Sequence, residues 1–178
     1  MADLFDTISA WLLDQAFRDN GIEQTLRGMC NPLVDGGIPL ARVSVGRTIL
    51  HPVIGLKDMN WDRETDEIDS SSMSRSVIRK LQNVNAPFAA MSRGTVDKIN
   101  ADLTDPEQVA QYPLFADLAE RGITGYFADS RVYGTGQDIF KDLAENFRGG
   151  SVSFATKRFS GFSASDLEGL ERLITPLC

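Results

Sequence analysis

The sequence predicts an α+β domain, an antiparallel sheet with helices on its faces. Three observations carry that expectation. Along the chain the signals run two helices, two strands, helix, strand, helix, two strands, helix. The strands are more numerous than a doubly wound parallel fold needs, and they arrive in pairs that hairpins can join. No internal repeat or low-complexity linker divides the 178 residues, and 42% hydrophobic content suffices for one well-cored domain.

Leu4, Ile8, Trp11 and Leu12 form a stripe at helical spacing, and Asn20-Gly21 supplies residues that tolerate a left-handed cap. Ile22, Leu26, Met29, Cys30 and Leu33 repeat the stripe in a second helix. Gly36-Gly37 then opens onto two β-branched runs separated by Leu50-His51-Pro52, which predicts strand, short connection, strand. "DRETDEIDSSSMSRS" reads as an exposed polar loop whose serines cap a helix around Ser74 to Leu81 or cover a pocket. "APFAAMSRGTVDKINADL" predicts a short helix and a strand from about Thr95 to Leu103. Asp105-Pro106 supplies an N-cap and a first-turn proline with Gln108 at the box position, and Pro113 predicts a break before a continuation to Gly122. "ITGYFADSRVYG" is a further strand, while "GQDIFKDLAENFRGG" is ambiguous between a short helix and a long hairpin loop.

The terminal stretch is the best specified. Ser151 to Lys157 alternates small polar residues with Val152, Phe154 and Thr156, as a half-buried strand does. After Gly161, Ser163 with Asp166 makes a capping-box variant, and Phe162 and Leu167 stand where a hydrophobic staple sits. Leu167, Leu170, Leu173, Ile174 and Leu177 give the last helix one apolar face, and Pro176 punctuates its end.

Eighteen Lys plus Arg against 25 Asp plus Glu leave a net charge of -7 with no basic run, which argues against nucleic-acid or anionic-membrane partners. The first segment places acidic residues where a leader needs positive charge and interrupts its apolar run with Asp14 and Gln15, so it reads as an amphipathic helix and not a leader or membrane span. Cys30 and Cys178 are the only cysteines and lack zinc-ligand spacing, which fits a reducing cytoplasm; Cys30 lies on an apolar stripe and reads as core.

Catalytic signals are weak. The sole histidine, His51, sits beside Pro52 in an inter-strand turn, where a structural role outweighs general-base catalysis or haem ligation. "DRETDE" lacks the central glycine and closing ligand of a calcium loop and reads as a solvated acidic loop. "GTGQD" at Gly134 and "RGGS" at Arg148 lack a phosphate-binding lysine and read as turns. Trp61, Phe88, Tyr126 and Tyr133 lie on or beside strands; they fill the core or line an apolar pocket in which Arg42 or Arg131 supplies an anion contact.

The closing "FATKRFSGFSASDLEGLERL" resembles the end of a GAF domain. Together with "IPLARVSVGRTILHPVIGLKDMNW", "APFAAMSRG" and "YPLFADLAERGITGYFA", it resembles the GAF-like N-terminal region of bacterial class III adenylate/guanylate cyclases, especially alphaproteobacterial ones. That resemblance implies one domain over residues 1–178, with terminal helices on one sheet face and a ligand pocket on the other. It implies a non-catalytic, cytoplasmic sensory module that forms a homodimer and binds an unidentified small molecule. Helices at about 3–34 and 164–177 would be its dimer and connector elements, and a cyclase catalytic domain, absent from this sequence, would follow in cis. The NKFDE-type signature of cyclic-nucleotide-binding relatives is missing, neither cysteine has a bilin-attachment context, and the cofactor is left unknown. "FADSRVYGTGQDIFKDLAENFRGG" is longer and more polar than the hairpin expected of relatives. A ligand-free dimerisation scaffold is the alternative; a redox enzyme on the same fold would need a nucleophilic cysteine and a resolving partner, which buried Cys30 and distant Cys178 oppose.

Overall fold

A computed structural model describes residues 3–18, 21–49, 51–81, 84–132 and 149–178. Among these, helices α1 (Leu4–Gln15) and α2 (Ile22–Asp35) precede a hairpin of β1 (Arg42–Thr48) and β2 (Ile54–Asp62). There follow β3 (Glu67–Ser74), α3 (Arg75–Leu81), α4 (Pro87–Ser92), β4 (Lys98–Asp102), α5 (Pro106–Val109), α6 (Pro113–Glu120), β5 (Gly125–Val132), β6 (Gly149–Thr156) and α7 (Ala164–Leu177). The strands form one six-stranded sheet in the order β3-β2-β1-β6-β5-β4, with every neighbour antiparallel. The α+β expectation holds. None of the described helices is long and apolar enough to cross a membrane.

The terminal helices share one face of the sheet. Phe5, Ile8 and Leu12 of α1, Leu26, Met29, Cys30 and Leu33 of α2, and Leu170, Leu173, Ile174 and Leu177 of α7 form one buried cluster with Val43, Val45, Met59, Trp61, Phe127, Val152 and Phe154 of the strands. The stripes read from sequence are therefore the packing surfaces, and Cys30 is core. Two glycines set how closely α1 docks: a Cβ on Gly169 would lie 2.1 Å from the Phe5 ring, and one on Gly28 2.3 Å from the Trp11 ring. Only a bare backbone lets these aromatics lie flat on α7 and α2.

Local signals explain the element ends. Gly37, at φ +91, closes α2 in a Schellman motif: its own N–H donates to Val34 and that of Ile38 to Leu33. Asp105 accepts from the Glu107 N–H at the start of α5, Pro113 opens α6 as its first residue, and Gly122 ends it. Gln108 bonds back to the Asp105 side chain and to the Asp102 N–H, not to the Asp105 N–H of an ordinary capping box. At α7 both halves of the box form: the Asp166 N–H donates to Ser163 Oγ at 3.2 Å, and the Ser163 N–H donates to Asp166 Oδ2 at 2.8 Å. Arg158 adds an ion pair to the same carboxylate. Burial works against the Asp166 charge, but the Ser163 and Arg158 bonds prevail and hold its carboxyl below the ordinary range. At the other end Arg47 of β1 donates from Nε to the Leu177 carbonyl at 2.9 Å, placing a cation at the negative end of the helix.

Several expectations need correction. The "DRETDEIDSSSMSRS" segment is not a loop: Glu67 to Ser74 is the edge strand β3, and the loop is confined to the turn before it. Its mostly exposed side chains leave no apolar alternation to read, so pairing with β2 alone defines it. Ser74 does accept from the Val77 N–H and cap α3. The last strand is buried on both faces along its whole length. Gly149 and Gly150 are not a turn but its first residues, and a Cβ on Gly150 would meet Cys178 at 3.0 Å. The first helix stops at Gln15, short of Asn20-Gly21, and β4 is shorter than the expected Thr95 to Leu103. The "GTGQD" turn and the ambiguous segment leading into β6 lie outside the described residues.

Candidate functional site

The strand register assigns every side chain of the second face. One row across the sheet reads Asp62, Arg42, Ala155, Tyr126, Ala101; the next reads Asn60, Ser44, Ser153, Ala128, Ile99; a third reads Asp58, Gly46, Ser151, Ser130. The centre of this face, contributed by β1 and β6, is thus floored by Ser, Gly and Ala. One bank, on β1 and β2, is polar and charged. The other is apolar: Tyr126 and Ala128 join Met91 of α4, Phe115 and Leu118 of α6 and Ile99 of β4 in a second core cluster, with Phe88 and Tyr112 packed at its margin.

The polar bank is a connected network. Arg42 donates to Asn60 Oδ1, Asn60 Nδ2 donates to Asp58 Oδ2 at 2.8 Å, and Ser44 Oγ donates to Asp58 Oδ1 at 3.2 Å. Ser44, Ser151 and Ser153 are buried, unusual for serines on a sheet face with no polar purpose. Burial lowers the Arg42 guanidinium pKa, partly offset by attraction to Asp58. Asp62 is held outward by Arg121 at 2.7 Å.

Tyr126 is the anomaly. Its side chain is fully buried, its ring 5.0 Å from that of Phe115 and tilted 57° to it, and Phe115 in turn meets Tyr112 edge-on at 5.0 Å. Its hydroxyl is buried with no hydrogen-bond partner of normal geometry. Burial pushes its pKa up to about 12, an effect only tempered by the neighbouring Ser153 hydroxyl and by Arg42. A buried, unsatisfied hydroxyl costs about 1–3 kcal/mol, so a native fold that keeps one calls for an explanation.

The residues predicted as a site divide. Arg42, Phe88 and Tyr126 lie on this second face. Trp61 lies in the helical-face core, with its indole N–H donating to Asp66 at 2.8 Å. Arg131 also faces the helices, bonded to buried Asp129 at 2.8 Å and to Thr175 of α7 at 3.3 Å. Tyr133 lies outside the described residues. Sequence reasoning missed Ser44, Asp58, Asn60 and Ser153. The signal for the serines was present in "RVSVG" and "SVSFA", where a small or polar residue stands at every second position, and that for Asp58 and Asn60 in "DMNW", where they alternate with Met59 and Trp61.

The remaining chemical candidates have structural employment. His51 Nδ1 accepts from the Val53 and Ile54 N–H groups at 3.2 and 3.1 Å and shapes the β1–β2 turn. In the acidic turn, Glu64 pairs with Lys157 and Asp66 with Arg27. Among the described residues no group of His, Cys, Asp and Glu is arranged to hold a metal ion. Both cysteines belong to the helical face: burial raises the Cys30 thiol far above its ordinary range and that of Cys178 to about 11.

No protein-family model and no curated protein sequence matches the chain. Solved structures do. The phycocyanobilin-bound GAF domain of a cyanobacterial phytochrome aligns with a TM-score of 0.56 over 99% of this chain and 93% of that one, at 11% identity. With that likeness, the six-stranded antiparallel sheet and the terminal helices gathered on one face are those of a GAF-like fold.

Proposed function

We propose that the chain is a sensory module that holds a small molecule on the second face of its sheet and signals through the terminal helices on the first. The observation that carries the reading is the buried, unpartnered Tyr126 hydroxyl beside the half-buried Arg42–Asn60–Asp58–Ser44 network. Buried polar groups left in need of partners mark a place completed by something else. The phytochrome neighbour is a phycocyanobilin-bound domain, which supports this general use of the fold. A thiol-attached chromophore is not the reading here, because both cysteines sit on the helical side. The module is non-catalytic in this reading. Its wider setting, on the sequence segments compared above, is a cytoplasmic input domain ahead of an adenylate or guanylate cyclase; reading the coding sequence on either side of residues 1–178 tests that setting.

Signalling through helices requires the ligand to favour one arrangement of them over another. Homodimerisation through α1 fits this scheme, since Leu13 on the helix and Phe17 in the turn just past its end are exposed, Phe17 at 91%. Native mass spectrometry on freshly purified protein is the test. A discrete added mass, on a dimer that Leu13→Glu with Phe17→Glu converts to monomer, is the expected result. A bare dimer moves the reading to a ligand-free scaffold, and a dimer unaffected by the double substitution removes α1 as its surface.

A further inference from the structure

Arg42 and Tyr126 occupy one row of the sheet on either side of Ala155. They stand two strands apart, about 10 Å at ordinary strand spacing. Both side chains rise from the same face, and the residue between them is the smallest chiral one. Two hydrogen-bond donors thus flank a buried residue of β6 that contributes only a methyl group to this face. On Tyr126 the donor is fully buried and unpartnered. On Arg42 the guanidinium spends one bond on the neutral amide of Asn60, and among the described residues no carboxylate stands within ion-pair distance. Asp58 is engaged by Ser44 and Asn60 and lies beyond Asn60 from Arg42, and Asp62 is paired to Arg121.

From this juxtaposition we infer that the site takes a planar aromatic carboxylate, its carboxylate bridging Arg42 and Tyr126 over Ala155 and its ring against the aromatic bank of Tyr112, Phe115 and Tyr126. The inference rests on the reading of this face as a ligand site. A guanidinium fork matches the two oxygens of a carboxylate, and a desolvated cation gains most from an ionised acceptor. With Asp62 already paired to Arg121, Arg42 has the carboxylate of Asp58 on its own bank, which repels a phosphate dianion more strongly than a singly charged group. The opposite bank is aromatic, which favours a flat unsaturated body over an aliphatic chain.

The test is titration calorimetry of the whole chain with benzoate, 4-hydroxybenzoate and indole-3-carboxylate, against benzamide, benzylamine, acetate and phenyl phosphate. Aromatic carboxylates should bind at least tenfold more tightly than each of the comparison compounds. Arg42→Gln should weaken them tenfold or more, with Arg42→Lys in between because it keeps the charge and loses the fork. Tyr126→Phe should weaken them about fivefold while the unliganded protein melts no lower than the parent, since the substitution removes an unsatisfied hydroxyl and keeps the ring. Equal binding of benzamide, unchanged affinity in Arg42→Gln and Tyr126→Phe, or no binding by any carboxylate overturns the inference. If native mass spectrometry shows a bound neutral or cationic molecule while the carboxylates fail, the ligand class falls and the sensor reading stands. Bare protein with no carboxylate binding removes both.

Discussion

On the helical face, the row Trp61, Val43, Phe154, Phe127 meets α1, α2 and α7 with each position filled by a large or branched apolar side chain. One residue along the same strands, the row Asn60, Ser44, Ser153, Ala128 offers amides, hydroxyls and a methyl group to the other side. Both rows are buried at their centre, so solvent exposure does not explain the difference. One face is finished by its own helices. The other keeps small and polar groups where a core would place leucine or valine, which a folding requirement alone does not produce.

The sharpest way to break this contrast is a pair of neighbouring substitutions. Phe154→Ala removes a fully buried ring from the helical face and should cost about 3–5 kcal/mol in chemical denaturation. Ser153→Ala, one residue away and equally buried, should cost less than about 1 kcal/mol. Similar losses at both positions would mean that the second face is core like the first.

Tyr126 gives the next largest effect through pH. Its pKa is about 12 in the folded protein and near 10 in the unfolded chain, so the folded state holds a proton that the unfolded state releases. That contribution is complete below pH 10 and is lost as pH rises toward 12, by roughly 2 to 3 kcal/mol. Tyr126→Phe should flatten this alkaline fall relative to the parent while leaving neutral stability unchanged or slightly higher. An unchanged alkaline slope would place the ring in contact with water.

A smaller effect belongs to the α7 cap. Asp166→Ala should cost about 1–2 kcal/mol at neutral pH through the lost box and ion pair. The Asp166 carboxyl is held below its unfolded value, so its contribution is present above about pH 4 and disappears as pH falls through the folded value. The variant should therefore show a shallower acid limb in thermal melts between pH 5 and 2. The smallest effect is a null one: Cys30 should resist a thiol reagent in native protein at pH 8 and react on unfolding. Rapid native labelling would revive a thiol enzyme.

Legibility in the sequence followed the strength of local signals. α7 was read to its cap because Ser163, Asp166, Phe162 and Leu167 agree with one another, and in the structure the box closes. β3 was not read, since an edge strand of aspartate and serine carries no periodicity and takes its shape from β2. β6 was recognised as a strand, but its double burial was hidden because serine and alanine positions look half-exposed until α4, α6 and the neighbouring strands surround them. The site was half legible. Arg42 and Tyr126 stood out as residue types, whereas their alignment across Ala155 exists only in the register.

Strand β1 passes Arg42 and Ser44 to one side of the sheet and Val43, Val45 and Arg47 to the other, and Arg47 ends on the Leu177 carbonyl of α7. The sheet is therefore one layer of backbone thick between the polar floor and the terminal helix. A tilt of β1 is at once a tilt of the hand that grips α7, with no intermediate layer to absorb it. On the proposed reading, a ligand held by the second face would be, in mechanical terms, only a strand's width from the handle.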